Sequence, residues 1–168
     1  YYTEYTSNAH RGDYKTSLKV DTEYELARNK VQEFINAKSR KEVVFTSGAT
    51  ESLNYIATGF FSNILEPGDE ILITKSEHAS NVLPWFRLAR ELNLEVNYIP
   101  LDNNYYVTVE NVLKSITPKT KVIALAQVTN VIGDIRPIRE ICDIAHKKGI
   151  LVVVDGAQSA SHIKTDVQ

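Results

Sequence analysis

Two stretches decide how this chain is read: Lys121-Val122-Ile123-Ala124-Leu125-Ala126-Gln127 and Ile150-Leu151-Val152-Val153-Val154-Asp155-Gly156-Ala157-Gln158-Ser159. Each begins as a nearly continuous apolar run and breaks into small polar residues. Such runs mark strands buried on both faces of a parallel sheet. Between them Ile138, Ile141, Cys142 and Ala145 recur at helical spacing, and Gly149 stops the helix, so the whole segment reads as one βαβ unit.

Outward from this unit the alternation repeats. Residues 42–46, 70–74 and 95–100 are shorter β-rich runs. Helical patterns separate them: Leu53, Ile56, Ala57, Phe60 and Ile64; then Val82, Phe86 and Ala89; then Val109, Val112 and Ile116. Pro67-Gly68 and Thr117-Pro118 mark joints. A further helix is expected over residues 21–36, capped by Asp21 and apolar along Tyr24, Ala27, Val31, Phe34 and Ile35. Five strands alternating with helices imply an α/β fold, a three-layer αβα arrangement around a mainly parallel sheet with right-handed crossovers.

Composition narrows the function classes. The 168 residues are 43% hydrophobic and 24% charged with a net charge of −2, which offers no basic field for nucleic acid or anionic lipid. No apolar run reaches the ~18 residues of a membrane span, and the polar, tyrosine-rich start is unlike a signal peptide. A cytoplasmic protein is the expectation. The single cysteine, Cys142, cannot form an internal disulfide, and its apolar helix face makes it a small inert hydrophobe rather than a nucleophile. His146, one turn on, is explained by the helix dipole. No residues have metal-ligand spacing. The chain contains no methionine, so it is read as an internal piece of a longer protein.

In an open parallel sheet, ligands bind beyond the carboxyl ends of the strands. Four of the five expected strand ends carry unusual polar groups: Thr46-Ser47-Gly48-Ala49-Thr50-Glu51, Ser76-Glu77-His78-Ala79-Ser80-Asn81, Gln127-Val128-Thr129-Asn130 and Asp155-Gly156-Ala157-Gln158-Ser159. The first is small, hydroxylated and opens a helix, so it is either an anion site or an ordinary cap. It matches neither the nucleotide P-loop nor the dinucleotide fingerprint. Asp155 follows an apolar strand, where a carboxylate wants a cation or several donors, or else caps the next segment. His78 is either a ring that stacks on a ligand or moves protons, or a solvated loop residue. Asn130 and Gln158 are amides able to orient a ligand or to satisfy backbone.

Taken in order and spacing, these segments, with Pro84-Trp85, Val131-Ile132-Gly133, His162, Asp166-Val167 and Asn8-Ala9-His10-Arg11-Gly12, resemble the class V, fold type I pyridoxal-phosphate enzymes, and most the SufS-like cysteine desulfurases. The resemblance implies a partial cofactor-binding large domain over residues 1–168, with an entry loop and helix in 1–40 and βα repeats in 41–168. It implies that Ala49 and Thr50 hold the cofactor phosphate, that His78 stacks on the pyridine ring, that Asn130 and Gln158 contact its phenolic oxygen side and that Asp155 pairs with its nitrogen. His78, Asp155 and Gln158 are the implied catalytic residues. The implied reaction takes L-cysteine to L-alanine with the sulfur held as an enzyme persulfide and passed to an acceptor protein, in a homodimer, for iron–sulfur cluster assembly. Ser47-Gly48-Ala49-Thr50 is nearer the NifS-like branch, and Asn81 to Trp85 nearer the SufS-like one.

The same resemblance places the cofactor-binding lysine, the reactive cysteine, the small domain and the neighbours of the first strand beyond Gln168. Lys164 lies in a different context from that lysine. The isolated 168-residue polypeptide is therefore expected to be insoluble or molten, and inactive. Other readings of the intact protein are a different class V aminotransferase, lyase or epimerase, or a non-catalytic scaffold of the same fold. The His10-Arg11-Gly12 region faces a partner or substrate groove, or is an ordinary loop.

Overall fold

The computed structural model describes all 168 residues, which separate into two units, Tyr1–Phe45 with Lys164–Gln168, and Thr46–Ile163. In the second unit the apolar runs become four parallel strands: β1 (Glu70–Ile73), β2 (Glu95–Tyr98), β3 (Thr120–Ala126) and β4 (Leu151–Asp155), in the spatial order β2-β1-β3-β4. Register is continuous where the sheet is broadest, Val122 facing Leu151 and Ala126 facing Asp155.

Successive side chains point to opposite faces of a strand, and the core divides accordingly. Ile71, Ile73, Val122, Ala124 and Val153 face one layer, covered by α2 (Ala49–Tyr55) and α3 (Leu83–Leu92) through Leu53, Trp85 and Leu88, with Ala57 just beyond the end of α2. Leu72, Ile123, Leu125 and Ile150 face the other, covered by α4 (Val109–Ser115) and α5 (Ile138–Lys147) through Val112, Ile141 and Ala145. The three-layer αβα arrangement is therefore present. α5 ends in a Schellman turn: Ile150 N–H reaches Ala145 O (2.9 Å), Gly149 N–H reaches His146 O (3.0 Å), and Gly149 takes φ 71°, which a side chain would oppose.

The connections create a crevice. β1 and β3 are neighbours, yet the chain leaves β1 through α3 on one face and leaves β3 through α5 on the other. Between their carboxyl ends the connections diverge, and an open parallel sheet is left uncovered there.

Several expectations fail for identifiable reasons. Residues 42–46 form no strand. Arg40–Glu42 is a 3₁₀ turn capped by the Ser39 hydroxyl, and the carbonyl of the extended Val43 is taken by the Arg28 guanidinium rather than by a neighbouring strand. The opening helix, α1 (Lys15–Phe34), starts earlier than expected, behind Tyr14. Asp21 lies within it and accepts from the His10 backbone N–H instead of capping. Of its supposed apolar face, Ala27 and Phe34 are exposed, while Ser17 and Val20 are buried.

After α2 the helix widens into a π turn, Ile56–Phe60. The extra residue shifts the phase, so that Leu53, Ala57, Phe61 and Leu65 are buried while the expected Phe60 and Ile64 face solvent. In α3 the stripe runs through Trp85, Leu88 and Ala89, leaving Phe86 outside. β4 lies at a sheet edge, so Leu151 and Val154 are exposed, and the expectation of burial on both faces holds only for β3.

Ile123, fully buried where β3 meets the α4–α5 layer, sets the test of this core. Ile123→Ala in the intact protein is expected to cost about 2–5 kcal/mol, as methylene deletion in a packed interior does, measured by equilibrium denaturation.

Candidate active site

At the mouth of the crevice a cavity of about 200 Å³ is lined by Ala49, Thr50, His78, Ser80, Ala126, Val128, Asn130, Asp155, Ala157 and Gln158. All six residues singled out from sequence thus meet in one place. They arrive from four junctions: the start of α2, the loop after β1, the loop after β3 and the loop after β4.

At the first junction Ser52 N–H is the first to bond back within the helix, to Gly48 O at 3.1 Å. The N–H groups of Ala49, Thr50 and Glu51 therefore precede the helical ladder. Glu51 folds back and accepts from Ser47 N–H at 2.6 Å. That bond, with the hydroxyls of Ser47 and Tyr55, holds its carboxyl below the usual range.

The second junction is a 3₁₀ turn, Ala79–Asn81, capped by the His78 ring, whose Nδ1 accepts from Ser80 N–H at 3.2 Å. Ser80 Oγ lies 3.1 Å from the same Nδ1 and 2.8 Å from Thr50 Oγ1, linking the first two junctions.

Asp155 ends β4 at 7% exposure, far drier than His78, Thr50, Asn130 or Gln158, all of which are exposed. Its Oδ1 accepts from Ala157 N–H at 3.0 Å, so the capping role weighed from sequence is real. It does not exclude the other role, because the carboxylate lines the cavity and no lysine or arginine lines it with Asp155.

Sequence reasoning missed what holds these loops in place. Glu77 and Arg136 form an ion pair in which neither side chain exposes any surface. Glu77 Oε1 accepts from Thr74 Oγ1 (2.6 Å) and from Arg136, and its Oε2 accepts from Ala126 N–H (2.7 Å) and Asn81 Nδ2 (3.0 Å). Arg136 also donates to Ala126 O, Thr74 Oγ1 and Ser76 Oγ, and Asp134 lies beside its Nε at 3.6 Å. The hairpin carrying Asp134 and Arg136 turns through Gly133 at φ 70° and pairs Val128 with Ile135. Its burial pattern is inverted, with the two charges inside and Ile135 63% exposed. The alternation Asp134-Ile135-Arg136 was the available signal, but it reads as a solvent-facing strand.

Arg136→Met leaves the buried Glu77 side chain without its cation, and is expected to cost about 3–5 kcal/mol in a denaturant melt of the intact protein. Arg136→Lys is expected to recover only part of this, since a lysine has no fork to span Glu77, Thr74 and Ser76. A loss below about 1 kcal/mol, the size of a surface pair, would contradict the burial of this ion pair.

Cys142 is half-buried on α5, and burial, aided by Asp143, pushes its thiol above the usual range. It is expected to resist iodoacetamide at neutral pH in the folded protein and to label readily once denatured, followed by mass spectrometry.

The whole chain, residues 1–168, matches the aminotransferase class-V family, and it belongs to that family. It is 44% identical over its full length to a probable cysteine desulfurase of Halalkalibacterium halodurans and 40% identical to a cysteine desulfurase of Synechococcus elongatus. It covers 41% of the first and 27% of the second, so it spans well under half the length of these relatives. Among solved structures, the apo cysteine desulfurase of Thermococcus onnurineus superposes with a TM-score of 0.93 at 38% identity, over 99% of this chain and 41% of that one. A cysteine desulfurase of Escherichia coli superposes at 0.86 with 36% identity, over 96% of this chain and 41% of that one. The sheet and its flanking helices are those of the pyridoxal-phosphate-dependent transferase fold. No helix is long and apolar enough to cross a membrane.

Proposed function

We propose that the intact protein is a pyridoxal-phosphate-dependent cysteine desulfurase of the SufS-like branch, converting L-cysteine to L-alanine and retaining the sulfur as an enzyme persulfide. The observation that carries this reading is the buried Asp155 carboxylate in the same small cavity as Thr50 and His78. A carboxylate so desolvated, with one backbone donor, fits a ligand that brings an N–H cation to it. The protonated pyridine nitrogen of pyridoxal phosphate is such a group, and when bound the cofactor supplies a ring that withdraws electrons from the substrate α-carbon.

The chain's own residues divide the remaining work. Asp155 keeps the ring nitrogen protonated. Ala49 and Thr50 offer N–H groups and a hydroxyl to the phosphate ahead of α2, where the helix dipole favours an anion. The flat ring of His78 covers the cofactor, and the amides of Asn130 and Gln158 meet its phenolic oxygen side. Residues 1–168 form a partial large domain in this reading. A homodimer, a sulfur-acceptor protein serving iron–sulfur cluster assembly and a cytoplasmic setting complete it.

The test uses the intact protein. Pyridoxal phosphate is expected to bind with a stable yellow absorbance, and L-cysteine to yield alanine and protein-bound sulfur in equal amounts. Asp155→Ala removes one charge-assisted hydrogen bond, about 1.5–3 kcal/mol, so cofactor affinity is expected to fall by about ten- to a hundredfold and turnover by at least as much. Unchanged turnover in Asp155→Ala, or no alanine from L-cysteine, would overturn the proposal.

A further inference from the structure

We infer that Ser80 is a positioning residue that holds His78 as its Nε2–H tautomer and ties that ring to the Thr50 hydroxyl. The inference deepens the reading of the cavity above and rests on it for its role in the reaction, though not for its geometry.

A backbone N–H can only donate, so the Ser80 N–H on His78 Nδ1 at 3.2 Å requires a lone pair on that nitrogen. Ser80 Oγ stands 3.1 Å from the same atom and can add a second donor. Both favour neutral imidazole with its proton on Nε2, because a proton on Nδ1 would confront the Ser80 N–H. The ring edge bearing Nδ1 is thereby spent on the 3₁₀ turn, and the ring face and the Nε2 edge remain to meet a ligand.

Ser80 has a single hydroxyl proton and two neighbours within reach, Nδ1 and Thr50 Oγ1, the latter at 2.8 Å. When Thr50 donates to Ser80, Ser80 donates to His78. When an anion at the start of α2 accepts a hydrogen bond from the Thr50 hydroxyl, Ser80 can turn and donate to Thr50, leaving Nδ1 with the backbone donor alone. Occupancy at the phosphate end of the cavity is thus felt at the His78 ring without any movement of the backbone. Ser80 is half-buried and packed in this bridge, so a side chain lacking the hydroxyl breaks both links together.

The experiment is nitrogen-15 NMR of histidine-labelled intact protein, freed of cofactor, with inorganic phosphate as the anion probe. His78 is expected to show the Nε2–H pattern, and its Nδ1 signal to shift as phosphate is added. In Ser80→Ala the ratio of Nε2–H to Nδ1–H is expected to fall about two- to tenfold, the weight of one neutral hydrogen bond, and the phosphate response to vanish. Ser80→Thr is expected to restore both. Ser80→Cys, a weaker donor, is expected to fall between, and it serves if the alanine variant does not fold. A wild-type Nδ1–H pattern, or variants with wild-type shifts and response, would overturn the inference. Pyridoxal phosphate uptake by the wild type is measured alongside. Its failure would count against the cofactor reading and leave the tautomer result standing.

Discussion

The contact on which the site depends is the ion pair of Glu77 and Arg136, two charges with no exposed surface. A buried pair of this kind contributes little net stability over an apolar substitute, since desolvation offsets much of the attraction. Its value here lies in geometry. Glu77 joins the end of β1 at Thr74, the end of β3 at Ala126 and the turn at Asn81, while Arg136 brings the hairpin after β3 to the same point. His78 is the next residue after Glu77, and Asn130 lies within the hairpin. The arrangement of loops that brings these groups together is the one that lines the cavity.

The amino ends of the strands use a similar device. Glu70, also buried, accepts from Asn97 Nδ2 (2.7 Å), Thr117 Oγ1 (3.0 Å) and Thr120 Oγ1, tying β1 to β2 and to the approach of β3. Comparison of the buried carboxylates on this sheet is informative. Glu77 has four donors and Glu70 three, whereas Asp155 has one backbone N–H. The first two are complete within the chain. Asp155 is the one whose surroundings fit a further donor, and it faces the cavity.

How much of this was legible follows from the range of the interactions. The apolar runs of β3 and β4 and the polar residues that follow the expected strand ends are local features, and they led to the sheet and to six of the ten residues that line the cavity. Residues 42–46 have the same local character but no partner strand, because pairing is a property of two segments. The π turn after α2 shifted Phe61 into the core by an amount that no periodicity of 3.6 could forecast. Glu77 and Arg136 lie 59 positions apart, so each reads alone as a surface charge. Ser80 carried no role in the sequence reading, since its contact with Thr50, 30 positions away, forms only when α2 and the 3₁₀ turn meet.

In the proposed reading, the unequal solvation of the cavity sets the order in which its residues act on a ligand. Asp155 sits at the dry strand end, where a charge interaction is stronger than the same contact among the exposed Thr50, Asn130 and Gln158. A flat, phosphate-bearing ligand can satisfy both environments only with its cationic ring edge toward Asp155 and its anionic end toward α2. The reverse orientation would bury a phosphate against a carboxylate. In the proposed reading, orientation is therefore set by charge before any amide or hydroxyl contributes, and the exposed His78 and half-buried Ser80 refine a pose that the buried carboxylate has already chosen.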